Sequence, residues 1–522
     1  MTHLVPRPAG IKPFILEGIN SPAQTNHRVE TKMLDNAKTM FLEERLFIGG
    51  TLRAAEGGGT YPNINPATEQ VIGQAANATA QDMLAAIAAA RQAYDHTGWV
   101  RDHALRAKCL RELHAALTKH EAGIRATVRA EVGATEISLN TALFAAPLGI
   151  LLYAAHLAEH FEWDKELGDA AAWGMPSKRV MVREGAGVAA CITPWNAPMQ
   201  VNLAKAAFAL AAGCTVVLKA APDTPWSALL LGRLAAEETS MPPGVFNVIS
   251  TNDNEVAQIL AEDPRIDIVS FTGSTAIGRH LMSVASKTVK RVFLELGGKS
   301  PFILLEDADL NSSLPFCAYM ATTQAGQGCS IHTRLLVQRS IYPEVLERIK
   351  AVYGTIQYGD PANVQNHMGP LINARQHEKV LGLIEQAKAD GAKLLLGGGR
   401  PAHLPVGYYV EPTVFYDVDP NALIAQEEIF GPVLVIIPFD TDDEAVEIAN
   451  NSLYGLAATV ASQNLDRAKG LARRIRAGVV NINLATYYNP AVPFGGYKQS
   501  GVGREMGELG FEEYTEVKII SE

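Results

Sequence analysis

Apolar residues recur along this chain at two spacings, and the change of spacing divides it. From Thr79 to Gly133 they fall at helical intervals, first Met83, Ile87, Ala90 and Tyr94 and then Leu110, Leu113 and Leu117, which predicts successive amphipathic helices. The longest apolar run, Ala142 to Ala155, has 14 residues and reads as a buried helix, too short for the about 20 residues that span a bilayer. From Gly187 short β-rich runs alternate with helical stretches: GVAACIT, VNLAKAAFALAAG, TVVLKA, TPWSALLLGRLAAEET, GVFNVIS, DIVSFTG and TAIGRHLMSVAS. Such alternation predicts βαβ units, a doubly wound parallel sheet and a dinucleotide-binding domain. After Glu295 a second α/β series begins, with FILLE, TRLLVQ, AKLLLGG and VLVIIPF as strands around helices at Tyr342 to Tyr353 and Ala374 to Ala389.

Composition narrows the class. A chain of 522 residues, 48% of them hydrophobic, exceeds the ~250–300 residues of one core and should divide into two or three units. The net charge of −10, with Lys and Arg scattered, gives no footprint for nucleic acid or an anionic membrane, and neither partner is expected. Five cysteines, an odd and sparse count, and a start without a secretory pattern point to a reducing cytoplasm. No metal site is assigned. Residues 1–40, with Pro6, Pro8, Pro13 and Pro22 and no sustained period, read as an N-terminal extension outside the main fold.

Candidate chemistry sits in two glycine-rich breaks. Cys329 ends Gly326-Gln327-Gly328-Cys329, between a helical stretch and a strand, and Glu295 lies in LELGGKSP. Small neighbours let a carbonyl approach a thiol, and a carboxylate is a suitable base, so the pair reads as nucleophile and base, with Gly297-Gly298 allowing a sharp turn beside Glu295. A lone cysteine is otherwise core filling, as Cys317 is expected to be on its stripe with Leu310, Leu314 and Ala321.

Four further stretches, ITPWNAP from Ile192, FTGSTAIG from Phe271, EEIFGPV from Glu427 and PFGGYKQSG from Pro493, occur in register with LELGGKSP and GQGC. Together the six resemble the aldehyde dehydrogenase superfamily of the NAD(P)-dependent hydrolytic type, in that family's order, from about Phe41 to the C-terminus. The resemblance implies a dinucleotide-binding domain at residues 41–167 and 185–296, a catalytic α/β domain at 297–510, and a small β arm at 168–184 and 511–522 that joins subunits into a homodimer or homotetramer. The arm strands are KRVMVRE and YTEVKII, whose alternation suits pairing across subunits.

The stretch from Phe271 to Gly278 follows a strand and opens a helix, where backbone N–H groups and the helix dipole suit a pyrophosphate, although G-x-x-x-x-G at Gly273 and Gly278 is also ordinary strand-to-helix packing. The resemblance implies a cofactor set of Ile192, Thr193, Pro194, Trp195, Lys219, Gly273, Ser274, Gly278 and Leu296, with Glu428 and Phe430 clamping the nicotinamide ribose and ring. Lys219 would hold the adenine ribose. Many relatives carry a Glu three residues later; this chain has Pro222, which removes a discrimination against NADP, yet no arginine between Lys219 and Pro225 could grip a 2′-phosphate. NAD is the expected cofactor, with NADP possible. On local sequence Lys219 could equally be a solvated strand end and Glu428 a surface charge.

The implied reaction is attack of Cys329 on an aldehyde, with the oxyanion held by the Asn196 amide and the Cys329 N–H, hydride loss to the nicotinamide, and hydrolysis of the thioester by water that Glu295 activates. Asn196 has the alternative of capping the next helix. Glu295 should have a raised pKa beside Leu294 and Leu296, and Lys299 and Glu505 would relay protons or order water. The substrate wall would comprise Ala197, Val201 and Ala204, small where many relatives are bulky, with Tyr487, Tyr488 and Phe494 opposite. A bulky or long, uncharged, largely apolar aldehyde is the expected substrate. Two other readings stay open: a semialdehyde dehydrogenase that transfers the acyl group to coenzyme A, which Glu295 disfavours, and a non-catalytic NAD-binding protein.

Overall fold

The structure, a computed structural model, describes residues Met40–Glu522, so the N-terminal extension lies outside the described residues apart from Met40. An eight-stranded sheet runs in the spatial order Thr51–Arg53, Leu46–Ile48, Phe246–Ile249, Thr215–Lys219, Val188–Ile192, Ile268–Thr272, Arg291–Glu295, Gly501–Val502. Its five inner strands are parallel, and its outermost strands join antiparallel. Every residue of Val188–Ile192, Thr215–Lys219 and Ile268–Thr272 is buried, as expected of parallel strands covered on both faces. The helix Pro198–Ala212 is buried nearly all round, packed on the sheet and on the helix Leu148–His160.

A seven-stranded sheet follows, in the order Lys393–Leu396, Thr413–Tyr416, Val433–Phe439, His332–Gln338, Ser300–Leu304, Ala457–Ala461, Val479–Ile482, parallel except for its first strand. The helices Tyr342–Tyr353 and Ala374–Ala389 accompany it. A third sheet pairs Thr515–Ser521 with Arg179–Gly185 and that strand with Asp164–Glu166, all antiparallel. The α/β class with doubly wound parallel sheets therefore holds.

Three details depart from the sequence reading. The apolar run Ala142 to Ala155 is not one helix: residues 141–147 form turns, and the helix starts at Leu148, after Pro147, whose ring disfavours helical conformation in the residue before it. Gly501–Val502 falls in the span assigned to the second domain but completes the first sheet beside Arg291–Glu295. Gly297 and Gly298 are not among the residues with positive φ, so no unusual turn explains them; their reason is space, as shown below.

Burial also creates a charged joint between helices. The helix Trp226–Glu238 begins at Pro225, which offers no side-chain cap, and its first N–H groups are met instead by Glu131 from the helix Glu121–Val132. Glu131 accepts from Trp226 N–H at 2.7 Å, Ser227 N–H at 2.8 Å and Asn63 Nδ2 at 2.7 Å, and also from the Ser227 hydroxyl. Burial pushes its pKa up to about 7, with these donors pulling against that rise. Glu131→Ala would orphan two backbone donors at a buried helix end. We expect a loss of about 3 kcal/mol, read as a lower urea midpoint, whereas an unchanged midpoint would show that the cap contributes nothing.

Candidate active site

The carboxyl ends of four adjacent strands form one edge. Lys219 is level with Ile192, Ile192 with Phe271, Phe271 with Leu294, and Thr272 with Glu295. In open α/β sheets this edge is where ligands bind. Lys219 is buried there, and burial lowers its ammonium pKa to about 8, with Asp223 opposing the fall. Thr193 donates through both its N–H and its hydroxyl to the Lys219 carbonyl, each at 3.3 Å.

Beyond Thr272 the helix Thr275–Ala285 opens, with Ser274 as its N-cap accepting from Ile277 N–H at 3.4 Å. Gly273 and Gly278 are explained by packing: a Cβ on Gly273 would strike the Phe271 ring, and one on Gly278 would lie 2.7 Å from Leu296 Cδ2. Trp195 and Phe430, far apart in sequence, meet edge to face at 5.4 Å and 85°. Thr272 Oγ1 is buried without a partner among the described residues. An orphaned hydroxyl, a buried lysine, a helix amino end and an aromatic pair along one edge fit a dinucleotide.

Glu428 is turned into the site. Its Oε1 accepts from Gly298 N–H at 2.9 Å, its backbone carbonyl accepts from Lys379 Nζ at 3.0 Å, and burial raises its pKa to about 7. Its carboxylate lies where a Cβ on Gly297 would be. Phe430 sits at φ 58 and its carbonyl accepts from Gln376 Nε2 at 2.9 Å.

Among the five free cysteines, Cys329 alone is not fully buried. Its thiol faces Glu295, which is 2% exposed at the end of its strand. A Cβ on Gly298 would strike the Cys329 carbonyl. Asn196 does not cap the following helix, whose N-cap is Ala197; its Nδ2 donates to the Gln327 carbonyl at 2.9 Å, two residues before the thiol. The Cys329 thiol, the Glu295 carboxyl and the Asn196 amide are thus gathered at one place.

Comparison with known proteins decides the class. The model of the aldehyde dehydrogenase family matches residues 53–520. The chain belongs to the aldehyde dehydrogenase family. It is an NAD(P)-dependent enzyme that oxidises aldehydes to acids. It is 43% identical over 460 residues, 88% of this chain and 94% of the relative, to 3-succinoylsemialdehyde-pyridine dehydrogenase of a Pseudomonas species. Among solved structures it resembles a mutant of aldehyde dehydrogenase C of Pseudomonas syringae in complex with NAD+ and octanal, at 39% identity and TM-score 0.88 over 92% of this chain and 98% of that one. It also resembles a mutant of the indole-3-acetaldehyde dehydrogenase AldA of P. syringae, at 34% identity and TM-score 0.89 over 94% and 99%.

In this aldehyde dehydrogenase the remaining candidates separate. Glu505 pairs with the fully buried Lys205 at 3.1 Å, and Lys205 Nζ also donates to Ser270 Oγ at 3.1 Å and lies 4.7 Å from the Phe293 ring centroid. Glu505 and Lys205 both act on Glu295, in opposite senses. Lys299 is buried, with its Nζ unpartnered among the described residues; burial and then Arg334 lower its pKa to about 7, and Glu428 opposes that fall. Its charge partners place it on the side of Glu428, whereas Glu505 stands on the side of Glu295. Among the candidate substrate residues, Tyr487 stacks on Phe494 at 5.2 Å and 9°, and its hydroxyl lies 3.3 Å from Ser330 Oγ. Ala197, Tyr487 and Cys329 border the same core. Val201 is 8% exposed and Ala204 only 1%, so Ala204 packs in the core instead of opening a wall. Tyr488 leaves its hydroxyl buried without a partner among the described residues.

Sequence reading missed Lys205, Gln327 and Ser330. Lys205 carried a signal, as the one charge in the apolar helix VNLAKAAFALAAG; Gln327 and Ser330 flank the thiol but carry no chemistry of their own that would flag them.

Burial raises the Glu295 pKa well above the carboxylate range, Glu505 adds to the rise, and Lys205 and the Cys329 contact oppose it. Burial and then the Glu295 charge likewise push the Cys329 thiol up. Thiol and carboxyl thus compete over one negative charge. Glu295→Gln removes the competitor, so the pH midpoint for Cys329 alkylation by iodoacetamide should fall relative to the parent. A midpoint that stays or rises would mean that the two groups are not coupled.

Proposed function

We propose that the aldehyde is attacked by Cys329 as thiolate, with the oxyanion held between Asn196 Nδ2 and the Cys329 N–H, and that Glu295 draws a proton from the water that releases the acid. The observation that carries this reading is the convergence of a partly buried thiol, a buried carboxylate with a raised pKa, and an amide tied to the thiol's own loop. The nicotinamide, when bound, supplies the hydride acceptor that turns the thiohemiacetal into a thioester. Glu295 works as a base only when ionised, so acid release should rise as pH passes its raised pKa. Glu505, through Lys205, holds the base's surroundings, and Lys299 holds those of Glu428.

The cofactor reading favours NAD. Pro222 supplies no acid, but Asp223 stands next to it, acts on the Lys219 charge and accepts from Asn373 Nδ2 at 2.8 Å. A carboxylate there opposes a 2′-phosphate.

For the substrate, the small Ala197 and the stacked Tyr487 and Phe494 support a bulky or long, neutral, apolar aldehyde. Three relatives carry names or bound ligands of this kind, a pyridine-bearing semialdehyde, octanal and indole-3-acetaldehyde, whereas others are named for betaine aldehyde and aminoaldehydes. A homodimer or homotetramer is supported by the strand Thr515–Ser521, which leaves Val517, Ile519 and Ile520 about half exposed on a small sheet. No helix among the described residues is long and apolar enough to cross a membrane; the proposed cytoplasmic location rests on five free cysteines.

A steady-state panel tests the assignment. Octanal and aryl aldehydes should give higher kcat/KM than succinic semialdehyde or acetaldehyde, with the acid as product whether or not coenzyme A is present. Equal specificity across the panel would overturn the substrate reading, and an acyl-coenzyme A product would overturn the role of Glu295.

A further inference from the structure

Gln327 is 1% exposed, and its polar groups are all engaged. Its carbonyl accepts from Asn196 Nδ2 at 2.9 Å and its N–H donates to the Gln324 carbonyl at 3.1 Å. In the side chain, Nε2 donates to the Gln324 carbonyl at 2.9 Å and, at 3.4 Å, to that of Pro370, while Oε1 accepts from Ile372 N–H at 2.9 Å.

The segment so held is one the chain resists. Gln324 and Ala325 lie at φ 53 and 52, followed by Gly326 at φ 73, three left-handed residues in a row. Residues with a side chain enter that region only where their surroundings impose it. Gln327 closes this turn from below and ties it to the segment 370–372, just before the helix Ala374–Ala389. One hydrogen of the Asn196 amide is spent on the Gln327 carbonyl, which fixes which end of the amide is the donor and leaves the second hydrogen free.

We propose that Gln327 is the positioning residue of the oxyanion hole: it sets both the Asn196 amide and, through the turn, the direction of the Cys329 N–H. The inference rests on the reading of Asn196 and that N–H as the oxyanion donors. Donors of this kind act only when held in place before the charge develops, and a shift of well under an ångström weakens them. Gln327 touches no reacting atom.

The test uses the full-length enzyme and two probes of the same sulfur. Aldehyde oxidation passes through an oxyanion; alkylation by iodoacetamide does not. Gln327→Ala should lower kcat/KM for aldehyde by about 10-fold to 100-fold, less than the about 10²–10³ that a deleted donor costs, and leave the alkylation rate and NAD affinity within about threefold. A parallel fall of oxidation and alkylation would make Gln327 merely structural, and unchanged oxidation would remove its role. Gln327→Glu gives a second measurement should the alanine variant fold poorly. An ionised carboxylate faces the carbonyls of Gln324 and Pro370, and protonation restores a donor, so its activity relative to the parent should recover as pH falls. A pH-independent ratio would contradict the proposal. Adding Gln327→Ala to Asn196→Ala should cost little more than Asn196→Ala alone, and full additivity would show that Gln327 does not act through the amide. If Asn196→Ala itself leaves oxidation intact, the oxyanion reading fails; if only the Gln327 variants do, that reading stands and this inference falls.

Discussion

Three turns that carry chemistry touch one another through glycine, and the site exists only because no side chain stands between them. A Cβ on Gly298 would strike the Cys329 carbonyl, one on Gly297 would strike the Glu428 carboxylate, and one on Gly326 would strike the Gly431 carbonyl. The segment after Glu295 and the loop that carries Cys329 are therefore in backbone contact, as are that loop and the turn after Glu428. Strain is concentrated in the same place: Gln324, Ala325 and Phe430 are left-handed residues with side chains, each costing about 1–2 kcal/mol. Such conformations persist where the surroundings over-determine them, and the bonds made by Gln327 and Gln376 are the restraints found here.

The contact also sets the electrostatics. Glu295, Glu428 and Glu505 all raise the thiol's pKa, and of the buried cations it is Lys205 that restrains Glu295 while Lys299 faces Glu428. Two carboxyls with raised pKa values, Glu295 and Glu428, both act on the Cys329 sulfur, and Glu428 is held by the Gly298 N–H just after Glu295. In a low-dielectric site, charge that is not matched is displaced by proton movement, which is what a base working near neutral pH requires.

Much of this was legible in the sequence, and the reasons differ by level. Strands such as Val433–Phe439 and helices such as Tyr342–Tyr353 and Ala374–Ala389 showed in the spacing of apolar residues, because each buries one clear face or both. The helix Leu148–His160 was read as starting too early, since hydrophobicity alone does not show that Pro147 ends the preceding turns. Cys329 and Glu295 were found through their glycine-rich surroundings, but Gly297 and Gly298 were credited with turning when they serve close approach. That distinction is invisible in one dimension, because it depends on which distant backbone arrives. Gln327, Lys205 and the edge strand Gly501–Val502 were missed for the same reason: their partners Asn196, Glu505 and Leu294 are distant in the chain.

The most direct measurement weighs the intermediate. Glu295→Gln enzyme mixed with octanal and NAD, quenched in acid and mapped by peptide mass spectrometry, should carry the octanoyl group on the peptide containing Cys329, after one turnover of cofactor reduction. Continued acid formation with no acyl mass on that peptide, or the acyl group on another residue, would contradict covalent catalysis at Cys329.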